Sequence, residues 1–103
     1  MEWYPRLYVG KTVNNPNKLI HKLKKHTKKA DAYVITLSKN PYDQLEIMES
    51  GYLAQKYYKE NPPYIIGIAN HYDEAVDIVK QIAEEAFVAQ GNCCLKEYLK
   101  CYM

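Results

Sequence analysis

Two short runs decide the fold: Ala32-Tyr33-Val34-Ile35-Thr36-Leu37 and Tyr64-Ile65-Ile66-Gly67-Ile68-Ala69. Both are almost continuously apolar and rich in β-branched side chains. A strand with one wet face alternates polar and apolar residues, so an unbroken run indicates a strand covered on both faces. Turn-forming residues bound the runs, with Ser38-Lys39-Asn40-Pro41 after the first and Asn61-Pro62-Pro63 before the second. Both runs are therefore expected to be covered on both faces, while the order of the strands in the sheet is not recoverable from them.

Weaker signals lie on either side. Arg6-Leu7-Tyr8-Val9 reads as a short strand stopped by Gly10. Asn15 is suited to cap a helix and Pro16 to open it, and that helix is expected to reach residue 29. Leu45 and Ile47 alternate with Glu46, as in a half-exposed strand that forms a hairpin with the first run. Residues 51–59 suit a short helix with Leu53 and Tyr57 four apart, although Tyr57 and Tyr58 also suit a strand. A long helix is expected from Tyr72 to Gln90, acidic in its first turn and stopped by Gly91. Its apolar residues span about half its circumference, more than one sheet face needs. A last helix over 94–102 is the expected cover for that surplus.

The expected order is strand, helix, strand, strand, weak helix, strand, helix, helix. That is a single α/β (or α+β) domain, a layered sandwich around a mixed sheet of about four strands. The first helix suits a right-handed crossover between parallel strands. A ferredoxin-like fold has this order too, but it puts the second and fourth strands at the edges. The two most apolar runs occupy those places here, which favours another two-layer or three-layer arrangement.

Composition fits this frame. A chain of 103 residues has room for one core, and 48% hydrophobic with 25% charged residues fits a globular domain. No apolar stretch approaches the 18 or so residues of a membrane span, and the N-terminal residues do not resemble a secretory leader. A cytoplasmic location is expected. The three cysteines, Cys93, Cys94 and Cys101, are an odd set with two adjacent, so reduced thiols buried as small apolar residues are expected. Lys, Asn, Ile and Tyr share A/T-rich codons, as in a low-GC bacterial genome. That bias does not explain eleven Tyr beside one Phe. The preference for hydroxylated rings points to a thin core closed by rings whose hydroxyls reach water or a neighbour.

Charge supplies the main functional hint. The net charge is +2, yet residues 1–30 carry +7 and residues 31–103 carry −5. Lys18, Lys22, Lys25 and Lys29 form one stripe of the first helix, opposite Leu19 and Leu23. The first expectation is therefore a binding or interaction module with helix 16–29 as its contact surface. Its partner is an acidic protein or a second copy offering Asp77, Glu84 and Glu85 from the long helix. Tyr52, Tyr57 and Tyr58 are an alternative surface, preferred if they prove exposed together. Nucleic acid ranks third, because there is one Arg and no base-reading motif.

The second expectation is a ligand or anion site at a sheet edge. If the first, second and fourth strands are parallel, their ends gather Lys11, Thr12 and Asn14 with Ser38 and Asn40 and with Asn70, His71 and Asp73. Gly10-Lys11-Thr12 lacks the preceding glycine of a phosphate loop. No metal or cofactor is expected: His21 and His26 are five apart, which does not align two ligands on a helix. Ser38, His71 and Asp73 can be drawn as a triad, but three common residues carry no specificity, and the reading leans away from an enzyme. The flank of the long helix discriminates between these expectations. An uncovered apolar flank favours contact between chains, and a deep polar cleft favours a ligand.

Overall fold

The computed structural model describes residues 2–25, 32–40 and 42–103. Four strands, β1 (Glu2–Val9), β2 (Tyr33–Leu37), β3 (Leu45–Glu49) and β4 (Tyr64–Ala69), form one sheet in the order β1-β4-β2-β3. The helices are α1 (Pro16–Lys24), α2 (Lys56–Glu60), α3 (Tyr72–Gln90) and α4 (Leu95–Lys100), with a 3-10 turn at Ser50–Ala54. The two apolar runs are the two interior strands and are covered on both faces, as their lack of polar alternation indicates.

Strand direction differs from expectation. β1 and β4 are parallel, but β2 is antiparallel to both of its neighbours, β4 and β3. The β2–β3 hairpin is as expected. α1 is not a crossover between parallel neighbours, because β1 lies beside β4 and not beside β2. β1 also starts earlier than expected and contains Pro5, which an edge strand tolerates because its outer N–H groups need no partner.

The sheet separates two cores, which makes three layers. On one face Ile35, Ile66 and Ala69 meet Ala75, Ile78, Ile82 and Ala86 of α3 and Leu95 and Leu99 of α4. On the other, Val34, Ile65 and Ile68 meet Leu23 of α1 and Leu53 of the 3-10 turn. Strict alternation would put Ile65 and Ile68 on opposite faces. They share a face because the register against β2 slips: Ile35 opposes Gly67 while Thr36 opposes Ile65. The extra residue in β4, Ile66, turns the strand so that three isoleucines serve two cores. Gly67 sits where neighbours from β1 and β2 leave little room for a side chain. A β-carbon there would lie 3.1 Å from Ile35 Cδ1 and 3.3 Å from Tyr8 Cβ.

α1 has the expected start: the Asn15 side chain accepts from the Lys18 N–H, and Pro16 follows. Residues 26–31, with His26 and Lys29, lie outside the described residues. α3 ends at Gly91, whose φ of 75° is a left-handed conformation that glycine adopts without strain. α4 covers one flank of α3 through Leu95 and Leu99, both buried. The cysteines are a correction: Cys93, Cys94 and Cys101 are exposed. Two sit in the α3–α4 turn and one follows α4, where no layer lies over them.

Candidate functional site

The reversed direction of β2 divides the expected edge site. Val9 opposes Ile68 near the ends of β1 and β4, while Leu37 opposes Leu45 and Thr36 opposes Ile65 at the other end of the sheet. Lys11, Thr12, Asn14, Asn70, His71 and Asp73 therefore share one end. Ser38 and Asn40 lie at the other, so Ser38 cannot join His71 and Asp73 in a triad.

At the first end the side chains tie the connections together, between an open hollow of about 220 Å³ lined by Thr12, Asn14, Lys18, Lys22 and Asn70 among others and one of about 330 Å³ lined by Lys11, Glu74 and Asp77 among others. Glu74, in the first turn of α3, accepts the Thr12 hydroxyl at 2.5 Å and the Thr12 N–H at 3.2 Å. Asn70 Nδ2 donates to the Thr12 carbonyl at 2.8 Å and to its hydroxyl at 3.1 Å. The two hydrogen bonds from Thr12 and the proximity of His71 hold the Glu74 carboxyl below its usual range, against an opposing effect of burial. Gly10 allows this closeness, since a β-carbon would collide with Glu74 Oε1. A carboxylate in this position repels an anion. From the sequence, Asp73 and Glu74 are expected to satisfy the helix dipole and repel an anion, but the bonds from Thr12 to Glu74 are not foreseen, although Glu74 precedes the buried Ile78 by four residues.

At the other end, Asn40 falls beside Tyr57 and Tyr58, residues expected to serve a different surface, while Ser38 is buried and bonds Glu46. A cavity of about 240 Å³ opens there, lined by Thr36, Lys39, Asn40, Glu46, Met48, Tyr57, Tyr58 and Asn61 among others. Thr36 shares its face of β2 with Val34, so the cavity lies on the α1 side of the sheet. The helices on that side are short, with nine and five residues, and leave the end of β2 open. Ser38 Oγ donates to Glu46 Oε1 at 3.3 Å, Lys39 Nζ to the Asn61 carbonyl at 3.3 Å, and Asn61 Nδ2 to the Tyr57 carbonyl at 3.1 Å. The rings of Tyr57 and Tyr58 meet edge to face, 5.0 Å apart.

Lys18, Lys22 and Lys25 are exposed on α1. Among the described residues the only ion pair is Lys56–Glu60, at 3.8 Å. The exposed acids Asp73, Asp77 and Glu84 belong to α3, across the sheet from α1. Tyr52 and Tyr57 are exposed, while Tyr58 is half-buried. The three are thus not exposed together.

Glu85 is also not free for a partner, contrary to expectation. It accepts the Tyr8 hydroxyl at 2.6 Å, the Tyr98 hydroxyl at 3.3 Å and Gln81 Nε2 at 2.9 Å. Burial first, then the hydrogen bond to Glu85 and its charge, push the Tyr8 hydroxyl far above its usual range. Burial and the Glu85 charge also raise Tyr98. The Arg6 guanidinium caps this cluster, 3.9 Å above the Tyr102 ring. Here β1, α3 and α4 are joined by rings whose hydroxyls meet a carboxylate.

The outer flank of α3 remains uncovered. Phe87 is 59% exposed and Val88 86% exposed. With Ala83, Glu84 and Cys93 they line a shallow, largely apolar hollow. Among the described residues no helix is long and apolar enough to cross a membrane. No family model, curated protein or solved structure matches the chain.

Proposed function

We propose that the chain is a small interaction module that associates with a second copy of itself through the outer flank of α3. The observation that carries this reading is the exposure of Phe87 and Val88, neighbours on a helix whose other flank α4 already covers. Two large apolar side chains held against water on a rigid helix favour burial against a partner. A two-fold contact brings the same patch of each copy together, so an apolar patch meets an apolar patch.

Charge argues for the same geometry by elimination. The lysines of α1 and the acids of α3 lie on opposite sides of the sheet. Pairing them between copies would join unlike surfaces and build a ring or an open chain, not a closed dimer. A two-fold contact through α3 instead leaves both lysine stripes facing outward, open to an acidic partner.

Two side chains fall short of the roughly 800 Å² per partner of a standard interface. The contact must extend along α3 and the turn at Cys93, and its affinity is expected on the order of micromolar or weaker. Molecular mass in solution as a function of concentration tests the reading, with Val88→Glu as the disrupting variant.

A further inference from the structure

We propose that the cavity between the end of β2 and α2 binds a small zwitterion, a free α-amino acid with an apolar or aromatic side chain. This site is independent of the contact through α3. Its volume of about 240 Å³ is the room of about eight waters at roughly 30 Å³ each. That suits a molecule of about ten non-hydrogen atoms.

The lining is built from opposites that do not cancel. Lys39 and Glu46 both face the cavity but make no ion pair with each other. Lys39 gives one hydrogen bond to the Asn61 carbonyl, leaving two N–H donors on the ammonium. Glu46 accepts from Ser38 through Oε1, leaving Oε2 open. A ligand with a carboxylate and an ammonium a few ångströms apart satisfies both groups at once, whereas a simple acid or amine satisfies one and leaves the other unpaired.

Two further features point the same way. Thr36 is the one polar residue within the two interior strands, 1% exposed and part of the cavity lining. Its hydroxyl adds one donor and one acceptor to the lining. Met48 and the rings of Tyr57 and Tyr58 provide an apolar wall on which a side chain can rest. Polar groups that fix orientation beside an aromatic wall are the usual composition of a small-molecule site.

The test is a ¹H–¹⁵N NMR titration of the full chain with each of the twenty amino acids, up to about 10 mM. Apolar and aromatic amino acids are expected to shift the amides of residues 36–40, 46–48 and 57–61. The matched amine without the carboxylate, and the matched acid without the ammonium, are each expected to bind at least roughly tenfold more weakly. Lys39→Met and Glu46→Gln, both exposed positions, are expected to weaken binding by roughly the same factor while preserving the spectrum of the folded chain. No perturbation by any amino acid overturns the proposal. So does binding of the amine or the acid analogue as tight as that of the amino acid, or binding unchanged in both variants. Shifts confined to peptides, with free amino acids inert, would also overturn it and would make the cavity a chain-terminus site.

Discussion

Glu74 in the first turn of α3 holds the β1–α1 connection through Thr12, accepting its hydroxyl at 2.5 Å and its N–H at 3.2 Å. These bonds hold the carboxyl below its usual value of 4.5. The ionised carboxylate therefore stabilises the fold above that value, and the contribution disappears as pH falls through the lower value of the folded protein. Glu74→Gln is expected to be less stable than wild type at pH 7 and to approach it at pH 3. Urea midpoints at the two pH values measure this. An unchanged difference between the proteins would show that the charge of Glu74 plays no part.

The Tyr8–Glu85 contact gives the opposite dependence. The Tyr8 hydroxyl is raised above its usual value of 10.0 by burial and by Glu85. Stability is thus complete below pH 10 and falls at higher pH, where tyrosine ionises more readily in the unfolded chain than in the folded one. Tyr8→Phe removes one partner of a half-buried carboxylate and is expected to cost about 1–2 kcal/mol at pH 7. It should also reduce the alkaline loss. Tyr4 offers an internal control, because its buried hydroxyl has no partner among the described residues. Tyr4→Phe is expected to be neutral or stabilising by up to about 1 kcal/mol. Chemical denaturation of both variants distinguishes a hydroxyl that anchors from one that is merely buried.

Gly67 tests the slip in β4. An alanine methyl would crowd Ile35 Cδ1 at 3.1 Å and Tyr8 Cβ at 3.3 Å, and these neighbours come from the two strands on either side. Gly67→Ala is expected to destabilise by about 1–3 kcal/mol. In an exposed strand the same change would be near neutral or favourable. A neutral result by thermal or urea unfolding would mean that the three strands are spaced more widely.

Much of the fold was legible, and the reason lies in residues 32–37 and 64–69. Burial on both faces erases polar alternation, so these runs identify strands held between two layers; that β2 and β4 occupy the middle of the sheet was not legible from them. The same lack of alternation conceals direction. A doubly covered strand presents apolar residues to both layers whichever way it runs, so nothing in Val34 or Ile35 marked β2 as antiparallel to β4. The expected edge site was lost with that direction, and Asn40 instead lines a cavity shared with Tyr57 and Tyr58. Other differences follow from tertiary packing. Glu85 lies on the border of the apolar face of α3, and only the position of Tyr8 on β1 shows that it is held within the molecule. Cys93 and Cys94 are small and apolar enough for a core, but the turn after Gly91 carries them past the end of both layers.

The uncovered flank of α3 makes the most exposed claim of this account. The decisive measurement is sedimentation equilibrium over a concentration range from about 1 µM to 1 mM, on wild type and on Val88→Glu. The apparent mass of wild type is predicted to rise from the monomer value of 12.1 kDa toward twice that value. Val88→Glu is predicted to remain at the monomer mass, with wild-type stability, because an exposed position loses little on substitution. A wild-type mass fixed at the monomer value across the range, or a dimer unaffected by Val88→Glu, would contradict self-association through this face.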